Sequence, residues 1–222
     1  MKILVFLLAF GSMSACEEKP IDFPKQEMMQ DTQIINLVKK NDIAAVKSAL
    51  DSGVNVNTQD KRGRSLLLLA TIDKQPEMAK LLVSYKADVN LQDGQQDSPF
   101  LYAGASGQTE LVRLFLENGA RFDIFNRYNG TALIPACERG HLETVKVLVK
   151  TKGFPINHVN RLGWTALMEA VILGNGTKKY QEIVQILKDN DADLSIPDHA
   201  GKTPLQHAES LGFEEIVRIL KS

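Results

Sequence analysis

Four histidines and two cysteines are the side chains in this sequence best suited to metal or nucleophilic chemistry. Zinc takes histidines in pairs at fixed spacing, as in H-E-x-x-H, where both imidazoles reach one ion. His141, His158, His199 and His207 show no such pairing, so each is read as structural. A nucleophilic cysteine needs a setting that ionises it. Cys137 follows Ala136 at a small-residue position and is expected to be a buried, inert thiol. The sequence contains no G-x-S-x-G elbow, phosphate loop or carboxylate pair outside its repeating pattern. Asn129-Gly130-Thr131 and Asn175-Gly176-Thr177 match the glycosylation sequon but are read as turns. The expectation is a protein with no catalytic residues, no metal and no cofactor.

Cys16 has chemistry of another kind. Lys2 precedes an apolar run from Ile3 to Phe10, and then come Gly11, Ser12 and Met13-Ser14-Ala15-Cys16. A charged start, a short apolar run and small residues before a cut site make a secretory signal. The run is well short of the roughly 20 residues that span a bilayer. Met-Ser-Ala-Cys resembles the lipobox of bacterial lipoproteins, with Met13 where that family usually has Leu. The resemblance implies that residues 1–15 are removed and that Cys16 becomes the lipidated first residue. Several acyl chains on one residue anchor stably where a single chain binds only marginally. The implied location is the periplasmic side of a bacterial envelope. Glu17, where an Asp would favour inner-membrane retention, points to the outer membrane. Residues 16–30 carry Pro20 and Pro24 and show no clear period, so they read as a tether between lipid and domain.

Composition narrows the rest. The chain has 222 residues, 44% apolar and 24% charged, enough to bury a sizeable core. Its net charge of −1 argues against a general nucleic-acid binder, which would carry a basic excess. Two cysteines exclude a disulfide scaffold and a four-cysteine zinc site.

Self-similarity settles the architecture. Arg64-Ser65-Leu66-Leu67-Leu68-Leu69-Ala70 recurs as Asp97-Ser98-Pro99-Phe100-Leu101-Tyr102-Ala103 and Gly130-Thr131-Ala132-Leu133-Ile134-Pro135-Ala136. It returns as Trp164-Thr165-Ala166-Leu167-Met168-Glu169-Ala170 and Lys202-Thr203-Pro204-Leu205-Gln206-His207-Ala208. The hydroxyl residues 65, 98, 131, 165 and 203 are spaced by 33, 33, 34 and 38, and one step back lands on Thr32. A second block begins at Glu110, Glu143, Glu182 and Glu215, each followed by an apolar stripe. These steps resemble the ankyrin repeat and its Thr-Pro-Leu-His-x-Ala signature. The resemblance covers residues 31–222, with repeats over about 31–59, 60–92, 93–125, 126–159, 160–197 and 198–222. It implies an all-α solenoid of six stacked helix-turn-helix repeats joined by β-hairpin-like fingers, the outer two repeats acting as caps.

Each conserved type has a physical task. The Ser or Thr caps the first helix by accepting from a backbone N–H near its start. Pro suits the first turn, where an N–H has no helical partner. Leu67, Phe100, Leu133, Leu167 and Leu205 are expected in the core, and Ala70, Ala103, Ala136, Ala170 and Ala208 let helices approach closely. Gly107, Gly140 and Gly212 are expected to end first helices in a left-handed turn. No repeat can bury its own faces, so stacking supplies the stability. Three departures stand out. The signature His is replaced by Leu68, Leu101, Ile134, Met168 and Gln206; Lys86 and Asp191 hold a position usually given to Gly; and repeat 5 carries an insertion within 175–180. That loop is either tolerated surface or an added contact, and tolerated surface is the expectation.

Function then falls to the variable surface. In the family that the chain resembles, partners dock on the fingers and on the concave face of the first helices. Finger positions give Lys61, Arg62 and Arg64, then Gly94, Gln95 and Asp97, then Arg127, Tyr128 and Gly130. They continue with Arg161, Leu162 and Trp164, and with His199, Ala200 and Lys202. Six cations against one carboxylate give a formal +5 on a chain of net −1. The expected partner is therefore another protein with an acidic surface, met by a monomer that touches the membrane only through its lipid. Two roles remain open: an adaptor holding an envelope protein, or an inhibitor such as an immunity protein that neutralises an enzyme.

Overall fold

The computed structural model describes residues 25–222, with side chains from residue 31 onward. The expected signal peptide and Cys16 lie outside the described residues. Helices follow in pairs: α1 (Lys25–Lys39) with α2 (Ile43–Asp51), α3 (Leu66–Ile72) with α4 (Pro76–Ser84), and α5 (Pro99–Ala105) with α6 (Thr109–Glu117). Then come α7 (Leu133–Glu138) with α8 (Leu142–Val149), α9 (Ala166–Ile172) with α10 (Lys178–Asp189), and α11 (Pro204–Leu211) with α12 (Glu214–Lys221). The odd-numbered helices pack in one row and the even-numbered in a second, each touching its counterpart in the next repeat. No strand is present among the described residues, only a single bridge between Gln59 and Ser65 at the first finger. The all-α solenoid is as expected.

The helix starts follow from the hydroxyl residues. Ser65 Oγ accepts from the Leu68 N–H at 3.1 Å, Ser98 Oγ from Leu101 at 3.2 Å and Thr165 Oγ1 from Met168 at 3.2 Å. Thr203 and Gln206 make the reciprocal capping box. Two positions depart from this rule. Helix α7 starts later, at Leu133, with Ala132 already in helical backbone, and Thr131 Oγ1 is buried without a hydrogen-bond partner. Thr32 is not a cap either, because α1 begins at Lys25, inside the stretch read as tether, and runs through it.

Between the paired helices the chain turns through left-handed backbone at Asn41, Lys74, Gly107, Gly140, Gly176 and Gly212. Glycine has a second reason to be at two of these places. A β-carbon on Gly107 would lie 2.5 Å from His141 Nδ1, and one on Gly140 would lie 2.4 Å from the Lys179 side chain. A side chain at the start of each of these second helices, His141 or Lys179, thus rests on the preceding repeat's turn. After the second helices, Lys86 (φ 67°) and Asp191 (φ 65°) adopt the left-handed conformation despite their side chains.

The core runs the length of the stack. Leu67, Leu133 and Leu167 are fully buried, as are all five signature alanines, while Phe100 closes over its neighbours and Leu205 in the last repeat is only partly covered. Burying a side chain of this size stabilises by about 1.5–3 kcal/mol. Phe100, Phe122 and Phe154 form a tilted ladder between repeats, with centroids 6.3 and 5.0 Å apart. Asn57, Asn90 and Asn157 stitch repeats by accepting from the backbone N–H of Asp88, Arg121 and Asp193. The insertion in repeat 5 is surface over most of its length, with Asn175, Thr177, Lys178 and Lys179 exposed, and is anchored at its end by Tyr180. It lengthens α10 at its start, where Tyr180 is buried and its hydroxyl donates to the Glu138 carbonyl at 2.8 Å.

Candidate functional site

Each finger is built by its first residue. Asp60 Oδ1 accepts from the backbone N–H of Arg62 and Arg64, and Asp93, Asn126, Asn160 and Asp198 do the same in their own fingers. The two arms close with a backbone bond from the same residue, such as Asn126 N–H to Gly130 O at 3.0 Å. Adjacent fingers are tied together by Gly94 N–H to Arg62 O and by Arg161 N–H to Tyr128 O, both 2.9 Å. The Asp and Asn residues are therefore structural, and the variable residues ride on a rigid frame.

The expected finger residues differ in what they offer. Lys61 and Arg62 are exposed. Arg64 is turned back onto Asp60, with Nε at 2.9 Å and Nη2 at 2.6 Å from Oδ2, and is mostly covered. Arg127 lies 3.4 Å from Asp97 and 4.9 Å over the Tyr128 ring. Tyr128 is 53% exposed. Arg161 is exposed and donates to the Arg127 carbonyl at 2.8 Å, so the two arginines and Tyr128 form one connected group. Trp164 is half-buried. Lys202 is also half-buried, and its ammonium donates to Ser210 Oγ at 2.9 Å, away from that group. Asp60 and Asp97 thus neutralise two of the six finger cations, and the other four, Lys61, Arg62, Arg161 and Lys202, have no ion-pair partner among the described residues.

Below Arg127 and Tyr128, the first helices of repeats 3 to 5 enclose a concave cleft of about 580 Å³. Tyr102, Glu138, Arg139, Leu162, Glu169 and Leu173 line it, with Asp97 at its edge. Glu169 is 4% exposed, and its Oε1 accepts from Asn160 Nδ2 at 2.9 Å. Burial, then the nearby Glu138 charge, raise its carboxyl to about 7. Burial likewise raises Asp97, against the pull of Arg127. Leu162 and Leu173 are about half exposed. Residue-type reasoning placed Arg127, Tyr128 and Leu162 here but missed Glu138, Glu169 and Leu173. The available signal was the variable position before the signature alanine, which carries Leu69, Tyr102, Pro135, Glu169 and His207.

The histidines have local partners. His158 stacks on Phe125 with centroids 4.2 Å apart and bonds the Asn129 carbonyl at 2.6 Å, while His207 meets Asp198 at 2.7 Å. Cys137 is fully buried, which pushes its thiol well above the usual range. Among the described residues no cluster of His, Cys, Asp and Glu could hold a metal, and no helix is long and apolar enough to cross a membrane.

Comparison with known proteins agrees with this geometry. A family model for ankyrin repeats in three copies matches residues 34–126 and 119–198. The ankyrin repeat protein YahD of Escherichia coli K12 is 38% identical over 182 residues, spanning 82% of this chain and 90% of that protein. A crystal structure of an ankyrin repeat domain from Acinetobacter baumannii AYE superposes with a TM-score of 0.83 at 44% identity, covering 85% of this chain and 96% of that one. A chain in the complex of a predatory endopeptidase from Bdellovibrio bacteriovorus with an immunity protein shares the fold, with a TM-score of 0.70 at 22% identity, over 85% of this chain and 96% of that one.

Proposed function

The chain belongs to the ankyrin-repeat family, and on that premise we propose that it is a non-catalytic adaptor that binds another protein at the bacterial envelope. It faces the periplasm, held by a lipid on Cys16, most naturally at the outer membrane, and acts as a monomer. Its contact surface is the finger row and the cleft beneath it. One observation carries this reading: Arg127, Tyr128 and Arg161 form a connected, exposed group directly above a cleft with half-exposed apolar walls. Arginine and tyrosine are types that concentrate binding energy. Lys61 and Arg62, two repeats away, form a charged rim that favours an acidic region of the partner and speeds encounter.

The second reading is an inhibitor, such as an immunity protein that neutralises an enzyme. What favours it is the shared fold with a chain of the endopeptidase and immunity-protein complex. Both readings use the same surface and differ in the partner.

Metabolic labelling with palmitate tests the anchor: wild type takes label and Cys16→Ser does not, and equal label in both ends the lipoprotein reading. Affinity capture from envelope extracts tests the binding role. A captured enzyme that loses activity in the complex selects the inhibitor, and one that stays active selects the adaptor. Equal capture by wild type and by a folded Tyr128→Glu/Arg161→Glu variant removes the site from this surface.

A further inference from the structure

Two rows of equivalent positions, one on the fingers and one on the first helices, run along the stack. The first row is the second residue after each finger's opening Asp or Asn. It reads Arg62, Gln95, Tyr128, Leu162 and Ala200, all exposed. The second row is the third residue after each signature alanine, at the end of the first helix. It reads Asp73, Ser106, Arg139, Leu173 and Leu211. Both rows border the cleft, the fingers through Tyr128 and Leu162 and the helix ends through Arg139 and Leu173. Both also change character along the stack. They are charged or polar in repeats 2 and 3, and neither carries a charge in repeats 5 and 6. The four most exposed large apolar side chains among the described residues, Tyr128, Leu162, Leu173 and Leu211, all belong to these rows. Leu162 and Leu173 share the cleft, and α9 packs on α11, so Leu173 and Leu211 are neighbours in their row. Single exposed apolar side chains are ordinary, whereas a contiguous set marks a contact surface. The charges nearby are turned to partners within the chain. Arg127 faces Asp97, Arg139 and Arg161 donate to backbone carbonyls, Lys202 donates to Ser210, and Glu209 pairs with Lys221.

We propose that the partner protein is divided in the same way as the surface it meets. Its acidic region lies over Lys61 and Arg62. The part seated over repeats 5 and 6 is an uncharged stretch with large aliphatic or aromatic side chains, held between Leu162 and the Leu173–Leu211 pair. A charged side chain there would lose water without gaining an opposite charge, which is costly. An apolar one covers the leucines and gains in proportion to the area removed from water. A second copy of this chain does not fit. Laid row on row, it would set Lys61 and Arg62 either against their like or against Leu173 and Leu211, and it matches in neither direction. The proposal rests on the reading of the chain as a binding module and adds the chemistry of the partner over its last two repeats.

The test uses the full-length chain in intact cells, with a photo-reactive phenylalanine analogue placed in turn at Arg62, Leu173 and Leu211. Mass spectrometry then identifies the partner peptide joined at each position. The expected result is one partner chain throughout, with an acidic peptide at Arg62 and an uncharged apolar peptide at Leu173 and Leu211. A second measurement takes Leu173→Asn/Leu211→Asn. Recovery of the partner should fall at least about tenfold, because each leucine has about half its surface left to bury. The loss should be the same at low and high salt, whereas the loss from Arg62→Glu fades as salt rises. Both leucines are half exposed, so thermal unfolding of the double variant should match wild type. Peptides of the same character at all three positions, a cross-link at Leu173 and Leu211 to lipid or to a second copy, none there at all, or undiminished recovery by the folded double variant overturns the proposal. With a protein still cross-linked at Tyr128, each of these results leaves the binding module intact and removes only its apolar half. No cross-link at Tyr128 or at any of the three positions ends both readings.

Discussion

Tyr180 in the inserted segment of the fifth repeat donates from its hydroxyl to the backbone carbonyl of Glu138 at 2.8 Å. The bond holds the end of α7, which carries one wall of the cleft, against the start of α10. The Tyr180 ring is buried and also covers Gly174, so it acts as a wedge as well as a donor. Tyr180→Phe removes only the hydroxyl and is expected to cost about 1 kcal/mol. Tyr180→Ala leaves a cavity and should cost about 3 kcal/mol or more. Chemical denaturation of the three proteins checks this. A Tyr180→Ala protein as stable as wild type would show that this anchor contributes nothing to the fold.

The buried hydroxyl of Thr131 lacks a hydrogen-bond partner because α7 starts beyond it. Thr131→Val keeps the shape and removes the orphan group, so it should stabilise by about 1 kcal/mol. Thermal unfolding reads this directly. A loss of similar size would mean that the hydroxyl is bonded in solution and caps the helix as its four counterparts do.

Lys86 stands at φ 67°, in a conformation that costs a residue with a β-carbon about 1 kcal/mol. Lys86→Gly is therefore expected to be neutral or mildly stabilising, the relief of strain offsetting the extra freedom that glycine has when unfolded. The side chain is exposed, so little packing is lost. A clear drop in melting temperature would show that Lys86 has left the left-handed region.

Glu169 links stability to pH. Burial and the Glu138 charge raise its carboxyl from an ordinary 4.5 to about 7. The folded state thus holds this proton more tightly than the unfolded state does. The contribution is fully present below 4.5 and is lost as pH rises through about 7. Glu169→Gln, which stays neutral, removes that dependence. The melting temperature of wild type, measured relative to the variant, should fall from acid to alkaline pH. A constant difference across that range would contradict the placement of Glu169 in a buried, charged neighbourhood.

Most of the fold was legible in the sequence because several periodic signals agree at once. The cap, the core leucine, the small alanine and the turn residue each mark the same register, so Ser65, Leu67, Ala70 and Gly107 all stand where that register puts them. Where a single residue had to carry the assignment, the reading failed. Thr131 has the right type but precedes a helix whose start is shifted one residue later, and Thr32 sits inside a helix that starts earlier. The fingers were readable as positions but not as charges. Whether Arg64 is free or folded back onto Asp60 depends on a side-chain geometry that residue type does not encode. The cleft was less legible still. Glu138 and Glu169 come from different repeats at different offsets, and only stacking brings them to one cavity.

The central claim is that the fingers and cleft of the third to fifth repeats contact another protein. Site-specific photo-cross-linking in intact cells tests it most directly, with a photo-reactive phenylalanine analogue placed at Tyr128, at Leu162 and, as a control, at Lys150. Lys150 is exposed at the end of α8, in the other helix row. The account predicts one discrete cross-linked protein from Tyr128 and Leu162 and none from Lys150. Cross-links from Lys150 alone, or none at Tyr128 and Leu162 in a folded and correctly located protein, would contradict it.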